Sequence, residues 1–124
     1  MLLNISNHPW KKWSDSQKDA AREQFGTVED LIFPDIDPEL DLDDVEVIAG
    51  DYLNFIQKKM ESAAGEQNFA VLLAGEYTLV FRLLLLLREH NIPAYSTTSK
   101  RDVTYKPDGV KTVNFEFVAF RPYY

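Results

Sequence analysis

Three short apolar runs in this chain end abruptly in small polar or charged residues. Ser6–His8 follow the run Leu2–Ile5, Gly75-Glu76 follow Phe69–Ala74, and Ser96–Arg101 follow Ile92–Tyr95. Short apolar runs with such boundaries predict buried strands. If helices connect them as parallel strands, their carboxyl ends meet at one edge of one sheet, where open α/β folds bind ligands. The pattern therefore predicts where a site lies before it indicates a ligand.

Apolar residues at helical spacing fill the gaps between these runs. They predict helices over Ser14–Phe25, Asp43 to about Glu61, and Glu76–His90. Ser14 and Asp43 have the side chains that commonly cap helices, and Gly26 suits the end of the first helix. Val28–Phe33, which Pro34 follows, predicts one more strand.

Alternating polar and apolar residues take over after Arg101. Asp102–Lys106 and Thr112–Arg121 predict the two arms of a β-hairpin, and Pro107-Asp108-Gly109 supplies its turn. The predicted order is βαβαβαβ followed by this hairpin. It indicates an α/β sandwich with a mainly parallel sheet and an antiparallel edge.

The third predicted helix is apolar on nearly every side, with an uninterrupted run from Leu83 to Leu87. One amphipathic face cannot explain this composition. The helix must be covered on two sides, either by its own domain or by a second subunit. We expect a homodimer.

Length and composition narrow the class of protein. The 124 residues predict a single domain over 1–124, and the chain has no Cys. No basic residue flanks the first apolar run, and no run reaches the roughly 20 residues that a bilayer span needs. We expect a cytoplasmic protein without a membrane or a long nucleic acid as partner.

The net charge of −7 arises from one segment. Residues 35–46 hold seven carboxylates and no basic residue, so the rest of the chain is neutral. This acidic segment is typical of a solvated loop that leads into a helix, and a metal or partner site is the alternative. The overall charge disfavours long nucleic acid but permits a small anionic ligand held locally.

Several chemistries lack the residues that they need. Two His and no Cys, without an HExxH motif, disfavour a catalytic zinc site. The chain has no G-x-S-x-G motif for a serine hydrolase, and its acidic segment lacks EF-hand spacing. We expect neither a metal nor a cofactor.

The polar ends of the three runs supply the candidate ligand contacts. His8, after Ser6 and Asn7, can exchange a proton near neutral pH or can simply stabilise its loop. Gly75 allows close approach to the start of a helix, where Glu76 can act on a ligand or only stabilise the helix dipole.

The stretch Ser96–Arg101 carries four hydroxyls, on Ser96, Thr97, Thr98 and Ser99, and two cations, Lys100 and Arg101. Hydroxyls and cations together suit phosphate oxygens. A plain polar turn is the alternative, and we favour ligand contact.

Motifs along nearly the whole chain resemble those of one known family. They are L-N-I-S-N-H-P from Leu3, Gln17 with Ala20 and Ala21, L-L-A-G-E-Y from Leu72, P-A-Y-S-T-T-S-K-R from Pro93, and F-E-F-V-A-F-R-P-Y from Phe115. In order and spacing the chain resembles small Rossmann-like accessory proteins of type III CRISPR systems, with CARF-like domains. The acidic segment is not a feature of that family.

The resemblance implies a Rossmann-like three-layer sandwich that forms a cytoplasmic homodimer. It also implies a ligand, the cyclic oligoadenylate second messenger of antiviral type III CRISPR defence, with cyclic tetra-adenylate as the expected ring. Some relatives are ring nucleases, metal-independent enzymes that cleave the messenger, and others bind it without cleavage. An unrelated α/β interaction protein is the third reading of the chain.

Residue roles follow from the same resemblance. His8 is the expected general acid or base, with Glu76 as the second choice, and Lys100 and Arg101 stabilise charge on the phosphate. Ser6, Asn7, Gly75, Ser96, Thr97, Thr98 and Ser99 are the expected ligand contacts.

Overall fold

The computed structural model describes residues 1–124 as five strands, three α-helices and one short 3₁₀ helix. In chain order these are β1 (Leu2–Ser6), the 3₁₀ helix (Trp10–Lys12), α1 (Asp15–Phe25), β2 (Val28–Ile32), α2 (Leu42–Ser62), β3 (Ala70–Leu73), α3 (Tyr77–Glu89), β4 (Ala94–Tyr105) and β5 (Lys111–Pro122).

The five strands form one mixed sheet in the order β2-β1-β3-β4-β5. The first four strands are parallel, and β5 runs antiparallel to β4. This arrangement confirms the predicted α/β class with a mainly parallel sheet and an antiparallel edge.

Helices cover both faces of the sheet. On one face α2 and α3 pack against alternate strand residues such as Leu3, Ile5 and Val71. On the other face α1 packs against the remaining ones, such as Leu2 and Leu72, together with Trp13 and Phe120. Because successive strand residues point to opposite faces, the four parallel strands each contribute to both cores, whereas β5 contributes only to the core beside α1.

The helix ends follow local capping chemistry. The Ser14 side chain accepts a hydrogen bond from the Gln17 N–H, and Gly26 ends α1 with a φ of 84°, as predicted. The predicted cap of α2 is wrong, because Asp41 caps the helix instead of Asp43. The Asp41 side chain accepts from the Asp44 N–H while the Asp44 side chain accepts from the Asp41 N–H, so a reciprocal capping box moves the start upstream.

The stretch Ser96–Arg101, which the sequence indicates as the polar loop or turn after a strand, is instead part of a strand. The chain continues from Ala94 to Tyr105 as one strand, so the fourth predicted strand and the first hairpin arm are the same element. Its residues pair with β5 over the whole length from Tyr95 to Tyr105. This pairing gives an extended partner to a polar stretch that would form a loop on its own.

Beyond Tyr95, β4 and β5 form a ribbon of two strands only, since β3 pairs with β4 no further than Tyr95. The predicted turn at Pro107–Gly109 closes this ribbon, with Gly109 at a φ of 83°. A register shift between Thr98 and Ser99 bends it near its base.

The outer face of α3 has no partner within the chain. Leu79, Leu83 and Leu87 are buried against the sheet, whereas Tyr77, Phe81 and Leu85 remain exposed. These three exposed residues repeat at intervals of four and therefore form one stripe, which we call the α3 stripe. No helix combines the length and the apolar composition that a membrane crossing requires.

Candidate functional site

The three polar ends predicted from the sequence lie at one edge of the sheet, on adjacent strands. Ile5 of β1 is level with Leu73 of β3, and Leu72 is level with Tyr95 of β4. By continuation of these registers, the first loop residues after β1 and β3 and the middle of β4 reach about the same height. The convergence that the sequence predicts is therefore present at the level of the backbone.

A buried polar network fixes the loop after β1. Asn4 is 1% exposed, and its amide donates to the His8 carbonyl oxygen at 3.0 Å and to the Asp30 carboxylate at 2.8 Å. The Ser6 hydroxyl donates to the Asn4 side-chain oxygen at 2.7 Å. A buried polar side chain costs stability unless its bonding groups are satisfied, and these bonds satisfy Asn4.

The main-chain oxygen of His8 is the centre of this network. It accepts from Asn4 and from the Trp13 indole at 2.8 Å, and the Ser6 hydroxyl, which donates to Asn4, lies 3.2 Å from it. The residue itself is exposed, so the loop is held by its backbone while the imidazole faces solvent. The His8 backbone is therefore fixed at the edge, whereas no hydrogen bond orients its imidazole.

A cleft of about 740 Å³ opens beside this loop, between the carboxyl ends of β1 and β2. Ser6 and Asn7 line it, as do Lys11, Lys12 and Asp30. The Asp30 carboxylate accepts from Asn4 and from the Trp10 N–H at 3.1 Å, so it also anchors the first turn after the loop. Sequence reasoning missed these three charged residues of the cleft.

Packing explains the glycine at the end of β3. A Cβ on Gly75 would lie 2.6 Å from the Phe33 ring, far inside van der Waals contact. Phe33 is buried in the core under α2 and α3. Gly75 therefore lets the segment after β2 pack closely against the start of α3, whether or not a ligand also approaches it.

Glu76 uses its carboxylate to cap α3. It accepts from the Thr78 N–H at 3.1 Å, the Thr78 hydroxyl at 2.7 Å and the Leu79 N–H at 2.9 Å. The Thr78 hydroxyl first, and then these N–H groups, hold the pKa of the Glu76 carboxyl below its ordinary value of 4.5. The group is ionised near neutral pH, so it suits the role of a fixed negative charge better than that of a proton donor.

The residues of β4 alternate between the two sides of the ribbon, which separates Lys100 from Arg101. Arg101 pairs with Phe115 and lies on the side of α1, where Phe117 and Phe120 also pack. Lys100 pairs with Glu116 on the opposite side. The expectation that both cations act together from one loop does not hold within one chain, because a strand repeats every two residues.

The same alternation divides the four hydroxyls. Thr97 and Ser99 share the α1 side with Arg101, and Ser96 and Thr98 share the other side with Lys100. Ser6 belongs to the α1 side with Asn4 and Leu2, while Glu76 starts α3 on the other side. The edge therefore carries one group of candidates on each side of the sheet.

The fold and this edge define an α/β protein with a polar cleft and two groups of candidate contacts at the carboxyl ends of its parallel strands. The chain belongs to the uncharacterized protein MJ1673 family, whose model matches residues 1–121. No curated protein and no solved structure matches it.

Proposed function

We propose that the protein binds cyclic oligoadenylate at the carboxyl edge of its sheet and acts on it as a metal-independent ring nuclease in the cytoplasm. The fold in this proposal is Rossmann-like and CARF-like, and the setting is type III CRISPR defence. The observation that carries the proposal is the common height of the β1 loop, the start of α3 and the middle of β4.

The two sides of the edge offer different contacts to a chain of phosphates. On the α1 side, Arg101 and the hydroxyls of Thr97 and Ser99 share a side with the loop that carries His8. Beyond Tyr95, β4 also has one edge without a strand partner. Main-chain N–H groups on such an edge can donate to phosphate oxygens.

The proposed reaction needs positioning more than cofactors. The ribose 2′-oxygen attacks the adjacent phosphorus in line, and the bond from phosphorus to the 5′-oxygen breaks. A proton leaves the 2′-hydroxyl and a proton reaches the 5′-oxygen, which gives a linear product with a 2′,3′-cyclic phosphate. His8 accepts or supplies one of these protons, and Arg101 stabilises the charge on the phosphate oxygens.

A ring of repeated phosphates suits two copies of one site related by a two-fold axis. The exposed α3 stripe supports such a pair of chains, because Phe81 is 57% exposed at its centre. The stripe begins at Tyr77, one residue after Glu76, and so adjoins the edge. Within one chain, Lys100 and Arg101 lie on opposite sides of the ribbon. In a dimer, Lys100 of one chain and Arg101 of the other can contact the same ligand.

The test is incubation of the pure protein with cyclic tetra-adenylate in EDTA, with chromatography of the products. We expect linear products that end in a 2′,3′-cyclic phosphate, and we expect Arg101→Ala and His8→Ala to lose at least 100-fold in rate. Lys58→Ala, on the exposed surface of α2, is the matched control and keeps the wild-type rate. Wild-type protein that neither binds nor cleaves the ring would refute the proposal.

Two observations favour a second candidate, a protein that binds the messenger without cleaving it. Glu76 is committed to helix capping, and Lys100 and Arg101 lie on opposite sides of the ribbon. One chain thus brings fewer of these charged groups to a single phosphate than its cleavage would need. Intact ring bound to the protein after long incubation identifies this case.

A further inference from the structure

The β4–β5 ribbon has an apolar side that nothing in the chain covers. Phe117 and Phe120 at its base pack on the core beside α1. Further out on the same side, Phe115 is 69% exposed, and Val113 and Tyr105 are exposed as well. Six residues from Lys100 to Tyr105 carry the tip about 20 Å outward at roughly 3.4 Å per residue.

This side of the ribbon is cationic as well as apolar. Arg101 and Lys111 belong to it, whereas Asp102 and Glu116 lie on the opposite side. A ribbon of two strands is marginally stable alone, and an exposed apolar side destabilises it further. The arm, which we define as Lys100–Phe115, therefore offers apolar and cationic groups that suit a partner with apolar and negatively charged groups.

The acidic segment has the complementary character. Residues 35–46 carry seven carboxylates and follow the carboxyl end of β2. Two large apolar side chains near or within this segment are exposed, Ile32 at 81% and Leu42 at 48%. None of its carboxylates from Asp35 to Asp44 forms an ion pair, and neither does any cation of the arm.

The two surfaces cannot meet easily within one chain. β1 and β3 separate β2 from β4 in the sheet, which places the two strands about 14 Å apart. Both surfaces nevertheless lie at the same carboxyl edge, and the candidate site lies between them. A second copy facing this edge can offer its acidic segment to the arm and receive the first copy's segment in return.

We propose that the arm of each chain clasps the acidic segment of a second copy, so that two chains close over the carboxyl edge. The contact is reciprocal, as a two-fold pair requires. Oppositely charged apolar surfaces give the pair both attraction and register. This inference rests on the pairing of chains in the proposed function and names the segments that form the pair.

The test uses charge reversals outside the candidate site. One variant carries Lys106→Glu and Lys111→Glu in the arm, and the other carries Asp35→Lys and Glu39→Lys in the acidic segment. None of these four side chains makes a hydrogen bond or ion pair in the structure. Light scattering coupled to gel filtration, in low salt, reports the mass of each variant and of their mixture.

We expect the wild type at twice the 14.3 kDa of one chain and each variant alone at the monomer mass. An equimolar mixture of the two variants returns to the dimer mass, because the reversed arm then meets the reversed segment in one contact and the two wild-type surfaces meet in the other. Lys58→Glu is the control for charge alone and stays dimeric, and circular dichroism confirms that each variant folds.

Three outcomes overturn the clasp: a monomeric wild type, variants that stay dimeric, or a mixture that stays monomeric. If Phe81→Asp separates the chains and the reversals do not, the α3 stripe alone holds the dimer. Ligand binding is scored separately, since the reversals leave His8 and Arg101 intact. A clasped dimer without affinity for cyclic tetra-adenylate supports this inference and refutes the proposed function. A protein that binds cyclic tetra-adenylate but forms no clasped dimer supports the proposed function and refutes this inference.

Discussion

Replacing Gly75 with Ala tests whether packing or a ligand requires the glycine at the end of β3. The new Cβ would lie 2.6 Å from the Phe33 ring, whereas carbon atoms in contact prefer about 3.5–4.0 Å. The ring must therefore move by about 1 Å in a core packed to crystal-like density. Overpacking of this kind costs about 1–3 kcal/mol.

Urea denaturation followed by circular dichroism measures this cost. With a slope of about 1–3 kcal/mol per molar urea, the midpoint should fall by on the order of 1 M. Phe33→Leu removes the ring atoms that the Cβ meets, so Gly75→Ala should cost less in that background. We expect a coupling of about 1 kcal/mol between the two sites.

Two results would refute this reasoning. An unfolding midpoint of Gly75→Ala equal to that of the wild type would mean that the Phe33 ring moves without cost. An equal loss of free energy with Phe and with Leu at position 33 would place the strain elsewhere. If the double variant folds and still binds cyclic tetra-adenylate, the glycine serves packing alone.

Three further predictions concern the loop, the helix cap and the α3 stripe. Asn4→Leu should lower the free energy of unfolding by about 1–3 kcal/mol, since it leaves buried partners unsatisfied, and hydrogen exchange should show faster opening of the loop that carries His8. Glu76→Ala should cost about 1 kcal/mol at pH 7. Because the folded pKa of Glu76 is lowered, its contribution is present above pH 4.5 and is lost as the pH falls through the lowered value, so thermal melts of wild type and variant should converge in acid. Phe81→Asp should weaken any dimer that uses the α3 stripe, measured as a higher dissociation constant in sedimentation, and an unchanged constant would exclude that surface.

Much of the fold follows from local sequence because local chemistry decides it. The buried runs form β1 and β3 as predicted, and Ser14 and Gly26 bound α1 where their capping chemistry indicates. The cap of α2 was harder, because several Asp residues compete in the acidic segment. Asp41 with Asp44 and Asp43 with Glu46 both have the spacing of a capping box, and the structure uses the first pair.

The candidate site was predictable in position and less so in detail. Ser96–Arg101 contains the polar residues of a loop, and only its pairing with β5 makes it a strand. Long-range pairing of this kind leaves no local signal in the polar stretch. Asn4 stands as a polar residue inside an apolar strand, a signal that could have indicated the network beneath the His8 loop.

The continuity of β4 has a consequence for how this chain can change in length. A single inserted or deleted residue between Tyr95 and Arg101 would turn every side chain beyond it to the opposite side. Phe115 and Phe117 would then lose their matched neighbours along the ladder. Homologous chains should therefore vary in length at the Pro107–Gly109 turn and hold a constant residue count along the strand that leads to it.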